Sequence, residues 1–197
     1  MRLPLSLLSN KEEDAMGAAQ LKAYLDATGI LACNTDANLR CLEDIGCSWA
    51  DAVELIEKKE LFLSKVYRKR TVYLSPRVYH LLKQCRYQRP MPEPAERLYG
   101  FLQGVPGGLE TGELRELAQM DQRTLLTAMD FLLEELYITA IGNGHWLNPN
   151  WSTYRYGTAE AWEDASASQP EEAHPKETLM EFLSWSMPEE EIRRLVR

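Results

Sequence analysis

The chain has 197 residues, 45% of them apolar and 26% charged. That is ordinary globular composition, enough for one large domain or two small ones, and it excludes intrinsic disorder. The formal net charge is −8, and no apolar run approaches the roughly 20 residues that cross a bilayer. The opening MRLPLSLLSNKEEDAM carries one arginine before a brief apolar patch, too short for a secretory signal. The expectation is a soluble cytoplasmic protein with no membrane partner.

Charge is divided unevenly along the chain. Residues 1–90 hold 14 Lys and Arg against 11 Asp and Glu, whereas residues 91–197 hold 8 against 19. From Lys65 to Arg89 there are eight basic residues and no acidic one. An acidic protein thus gathers its positive charge in one interval.

In chain order, residues 1–19 read as an N-terminal arm, followed by a first module over 20–89. AAQLKAYLDATGI has apolar residues at helical spacing and stops at Gly29. TDANLRCLEDIG offers a short second helix closed by Gly46, and Ser48 caps a third helix carrying Ala52, Val53, Leu55 and Ile56. LFLSKVY and TVYLS read as two strands around an Arg-Lys-Arg tip. Ser75 and Pro76 open a further helix with Val78, Leu81, Leu82 and Cys85 on one stripe. His80, Lys83, Gln84 and Tyr87 lie on the other side of it.

The three prolines of QRPMPEPAE place a module boundary there, and a second module over 90–162 repeats the plan. AERLYGFLQGV and ETGELRELAQ are its first two helices. DQRTLLTAMDFLLEEL is the third, capped by Asp121, with Leu125, Met129, Leu132, Leu133 and Leu136 facing the core. YITAIGNGHWLNPN reads as a hairpin turning on Gly142-Asn143-Gly144. STYRYGTAEAW reads as a packed connection covering the second module, residues 163–175 as a mobile acidic linker, and 176–197 as an amphipathic helical tail. The fold class expected is mainly α with small β-hairpins: two tandem winged-helix modules plus the tail.

YRKRTVYLSPRVYHLL, together with TAMDFLLEELYITAIG and the following WSTYRYGTAEAW, resembles the winged-helix proteins related to AlkZ and YcaQ, bacterial DNA glycosylases. The resemblance covers residues 20–162 and implies tandem winged helices around a DNA-binding concavity, with base excision in full-length members. Their catalytic triplet, glutamine or histidine, an apolar residue, then glutamine, is absent here, so the fold carries over and the catalysis does not.

A wing bearing Arg68, Lys69 and Arg70 suits backbone phosphates. Tyr67 and Tyr73 beside the tip suit hydrogen bonding or base stacking. Lys65, Arg77, Lys83, Arg86 and Arg89 extend the positive surface, and Gln122 and Arg123 open the third helix of module two as usable groove-reading residues. Three readings of the basic interval stay open: nucleic acid, a protein partner or self-association, and a solvated edge made basic against sheet pairing. Trp49, Asp51 and Glu54 on the third helix of module one argue against base readout there, because carboxylates are repelled by phosphate. The tail, with Phe182 and Trp185 as anchors, either folds back or docks on a second copy or partner.

Catalytic constellations are sparse. The histidines are scattered, neither phosphate-loop spacing occurs, and no nucleophile, base and orienter assemble. Cys33, Cys41, Cys47 and Cys85 lack C-x-x-C spacing and read as buried apolar residues, with a soft-metal site as the alternative. A non-catalytic protein without cofactor or metal is expected, contacting DNA through the basic wing, with a protein-interaction adaptor or homodimer as the alternative and glycosylase-related activity as a lesser one.

Overall fold

The computed structural model describes residues 5–148 and 151–196, with side chains from Gly17 onward. The fold is α+β: α1 (Leu5–Thr28), β1 (Ile30–Ala32), α2 (Trp49–Glu57), β2 (Phe62–Tyr67), β3 (Arg70–Leu74) and α3 (Pro76–Cys85). Then come α4 (Glu93–Gln103), α5 (Thr111–Ala118), α6 (Gln122–Glu134), β4 (Ile138–Asn148) and β5 (Trp151–Thr158). The chain continues with α7 (Ala159–Ala165), α8 (Pro175–Leu183) and α9 (Glu189–Leu195). One antiparallel sheet has the order β1-β3-β2 and the other pairs β4 with β5. Leu109 and Tyr156 form a single bridge on the far side of β5.

The arm expected over 1–19 is helical from Leu5, residues 1–4 lying outside the described part. Gly17 is accommodated within α1, where a Cβ would lie 2.7 Å from the Asp51 Cγ, so the glycine permits close approach of α2. The second helix expected in TDANLRCLEDIG is reduced to a 3-10 turn over Glu43–Ile45. Side chains take its backbone donors instead. Asp36 accepts the N–H groups of Asn38 (2.9 Å) and Leu39 (3.2 Å), and Asp44 accepts that of Cys41 (2.8 Å). Such local bonds compete with helix formation. The third helix begins as expected, Ser48 and Asp51 forming a reciprocal capping box.

The β1-β3-β2 sheet is covered on both faces, which explains the continuous apolar run LFL. Leu31, Leu63 and Tyr73 join a core with Leu21, Leu55 and residues of α4, α5 and α6. Their neighbours Ile30, Phe62 and Leu74 point to the opposite core with α3 and Trp162. Period-two alternation therefore feeds two cores where one was expected. Each core draws on residues before and after Pro90, so the modules read over 20–89 and 90–162 do not each enclose a core of their own.

Three later expectations are corrected. Gly142-Asn143-Gly144 is not the turn but lies within β4, whose register shifts on both sides of it. β4 runs to Asn148 and its partner β5 begins at Trp151, residues 149–150 lying outside the described part. Gly144 serves contact, since a Cβ there would meet Thr153 and come within 2.8 Å of the Glu110 carboxyl carbon. STYRYGTAEAW, expected as a packed connection over the second module, is β5 and α7, and Trp162 packs against Phe62 of β2 and Tyr79 of α3 (ring centroids 5.1 Å from each).

The expected linker over 163–175 lies against α3. Glu163 binds Lys83, and the Glu172 N–H donates to the Gln84 side chain at 3.0 Å. The tail folds back, burying Leu179, Leu183, Met187, Ile192 and Leu195. Phe182 is half-buried, whereas Trp185 is 89% exposed and contributes to neither core among the described residues.

Candidate interaction surfaces

The basic hairpin turns on Arg68 and Lys69, both with positive φ (50° and 57°). That conformation matches the right-handed twist of paired strands. Its cations do not form a free strip. Lys65 binds Asp130 at 2.5 Å, and Arg70 binds Asp36 at 3.0 Å. Arg68 grips Glu191 with two bonds, 2.8 Å from Nε and 2.6 Å from Nη2. Lys83 meets Glu163 at 2.5 Å, and Arg89 meets both Glu134 (3.3 Å) and Glu135 (2.5 Å). The Arg86 side chain is only 7% exposed, with Nη2 on Glu135 at 3.1 Å and Nη1 on the Leu195 carbonyl at 3.0 Å. Lys69 stays 72% exposed, its carboxylate partner Glu134 lying 3.9 Å away. The interval is largely neutralised by Asp36 after β1, by Glu135 just past α6, and by carboxylates of α6, α7 and α9, which sequence distance had hidden.

Tyr67 and Tyr73 are corrected outright: both are buried and offer no stacking face. Tyr67 donates to Asp36 at 3.2 Å. Burial pushes the Tyr73 hydroxyl well above its ordinary value, as it donates to the Cys33 thiol at 3.3 Å. Trp49 and Asp51 are likewise buried. On α6, Asp121 holds the N–H groups of Arg123 and Thr124 (3.0 Å each), and the Gln122 amide oxygen accepts from Arg115 at 3.4 Å. Arg123 sits beside Pro92, Thr127 and Phe131 at a cavity of about 260 Å3.

The Arg68–Glu191 contact has a pH signature. Hydrogen bonding from Arg68 holds the Glu191 carboxyl below its ordinary 4.5. A depressed carboxylate contributes stability above its unfolded value and loses it as pH falls through the folded one. Wild type is therefore expected to melt above Glu191→Gln at pH 7, with the two melting curves converging as pH is lowered below 4.5. A constant gap down to pH 3 would contradict this account.

A second surface was not anticipated. From Leu136 to Tyr154 the sequence contains no Asp, Glu, Lys or Arg. In this uncharged stretch of the β4–β5 hairpin Trp146 and Leu147 are each 57% exposed and Trp151 is 42% exposed. Trp151 stacks on buried Trp49 (centroids 5.0 Å, planes 29° apart), and Trp146 meets the same ring edge-on at 6.0 Å. The Trp49 Nε1 donates to the Tyr154 hydroxyl at 2.7 Å, fixing the floor of the cluster. Burial raises that hydroxyl too. Beside it, Glu110 holds His145 Nδ1 at 2.5 Å and also accepts from the Thr153 hydroxyl, tying the hairpin to the start of α5. The only hint in the sequence was HWLNPNW, three large apolar residues without a neighbouring charge.

The four cysteines are free thiols, with Cys41 and Cys47 buried. Among the described residues no group of His, Cys, Asp and Glu is arranged to hold a metal, and no helix is long and apolar enough to cross a membrane. Comparison with family models, with curated proteins and with solved structures returned no match.

Proposed function

We propose that the chain is a non-catalytic tandem winged-helix module that docks a cationic segment of a partner protein on its tryptophan hairpin. The winged-helix reading is supported by element order. In residues 5–74 a helix, a short strand, a turn, a helix and two strands build a sheet ordered β1-β3-β2. In residues 93–158, α4, the Leu109 bridge, α5, α6, β4 and β5 repeat that sequence with the first strand cut to one residue.

The observation that carries the docking reading is the exposed cluster of Trp146, Leu147 and Trp151 in a stretch of the hairpin without Asp, Glu, Lys or Arg. Exposed tryptophans beside an apolar neighbour are the side chains that dominate protein interfaces. Charge selects the partner. The chain as a whole carries a net charge of −8, so two copies repel. A cationic segment is steered in, and its Lys or Arg groups find indole faces. The test is anisotropy of a labelled peptide alternating arginine and leucine, against wild type and Trp146→Ser/Trp151→Ser. Binding is expected to weaken at least about tenfold in the double variant, the loss of one good anchor. Equal affinity overturns the reading, and a doubled mass in sedimentation replaces it with a homodimer.

Phosphate contact through the basic hairpin is the second reading, supported by the exposure of Lys69 at its apex. Changing Arg68, Lys69 and Arg70 together to alanine would then reduce both DNA affinity and its salt slope.

A further inference from the structure

We propose that the cavity between α1, the end of α2 and the start of α3 binds a phosphoryl group. The site shares no lining residue with the tryptophan hairpin and does not rest on the docking reading. The cavity measures about 350 Å3 and is lined by Lys22 and Asp26 of α1, by Lys58, Lys59 and Glu60 after α2, and by Arg77. In an acidic chain, four cations converge there against two carboxylates.

Arg77 is the key group. Of the eight basic residues from Lys65 to Arg89, it alone makes no ion pair among the described residues. Its guanidinium lies over the Phe182 ring at 4.7 Å. Stacking occupies the face of the guanidinium and leaves its in-plane N–H fork for an oxyanion, the geometry that matches phosphate.

Lys59 supplies a charge that is held in place. Its backbone has φ of 59°, and its ammonium donates to the carbonyls of Ile56 (3.4 Å), Glu57 (3.3 Å) and Ile141, with no carboxylate partner among the described residues. Among the described residues Lys22 and Lys58 are paired only with carboxylates one helical turn away, Asp26 at 3.1 Å and Glu54 at 2.5 Å. Such exposed pairs are weak enough for a dianion to compete for the amines. The volume is at the lower end for small-ligand sites, suited to pyrophosphate, a nucleotide's terminal phosphates or one phosphate of a nucleic-acid backbone.

The test is calorimetric titration of the full chain at low salt with inorganic pyrophosphate and, separately, with a short DNA duplex. Saturable pyrophosphate binding is expected, weakened about tenfold by Arg77→Ala through loss of the bidentate contact. Lys58→Ala, at an exposed side chain, is expected to weaken it less, and Glu60→Gln to tighten it. Lys58→Ala also keeps the test meaningful should Arg77→Ala disturb the Phe182 contact. A duplex that binds, is displaced by pyrophosphate and is lost in Arg77→Ala identifies the source as backbone phosphate. Pyrophosphate bound without duplex identifies a small ligand. No saturable binding of either probe, or unchanged affinity in both Arg77→Ala and Lys58→Ala, overturns the site.

Discussion

Glu135→Ala is expected to destabilise the protein by about 3–5 kcal/mol, the cost of stranding buried charge. Glu135 is 1% exposed. Its carboxylate accepts from Arg86 Nη2 at 3.1 Å, from Arg89 Nε at 2.7 Å and from the Arg89 backbone N–H at 3.2 Å. Its own carbonyl accepts from the Gln88 side chain at 3.1 Å. Removing the carboxylate leaves the Arg86 guanidinium buried with the Leu195 carbonyl as its remaining partner. Arg86 Nε already has no hydrogen bond. For a chain of this size each kcal/mol shifts Tm by roughly 2–4 °C, so a fall of about 6–20 °C is expected in a thermal melt. The double change Glu135→Leu/Arg86→Met should recover most of the loss, since exchanging a buried pair for apolar groups is often neutral. A single variant that melts with wild type would mean that water reaches the pair.

The second large effect is expected at Trp162. This fully buried side chain packs edge-on against Phe62 and Tyr79, which stack on each other at 3.9 Å, and its Nε1 donates to the Leu61 carbonyl at 3.1 Å. Trp162→Ala opens a cavity in the core behind the first sheet and is expected to cost about 3–5 kcal/mol by denaturant titration. Trp162→Phe should cost less, retaining the aromatic contact while losing the hydrogen bond to the Leu61 carbonyl. The damage should spread, because the next residue, Glu163, accepts from the Tyr79 hydroxyl and binds Lys83 at 2.5 Å. Losses below about 1 kcal/mol for Trp162→Ala would place the tryptophan at a periphery instead of a core.

Most helices and the first hairpin were legible because their signals are local. Ser48 and Ser75 stand at caps, Pro76 at a first helical position, and Leu125, Met129, Leu132 and Leu133 keep helical spacing within α6, whereas Leu136 falls beyond its C-cap with φ of 63°. What could not be read was long-range. Asp36, Asp130, Glu135 and Glu191 each neutralise a basic residue 34 to 123 positions away, a pairing that no spacing rule encodes. The positive interval was a correct count and a wrong picture of the surface. Strand length failed for a related reason: Gly142 and Gly144 resemble turn glycines, yet Gly144 is needed where Glu110 and Thr153 crowd β4. The tryptophan hairpin was legible as composition only, since its exposure depends on where Trp49 sits beneath it.

The two-sided burial of the first sheet also orders events during synthesis. Residues 62–74 leave the ribosome long before α8 and α9, yet Phe62, Val72 and Leu74 share their core with Leu179, Leu183, Ile192 and Leu195. A nascent chain halted ahead of Pro175 would carry that apolar face uncovered, the kind of surface chaperones and proteases engage. Completion of the core, and with it escape from such surveillance, thus waits on the late-made helices that also bring Glu191 to Arg68.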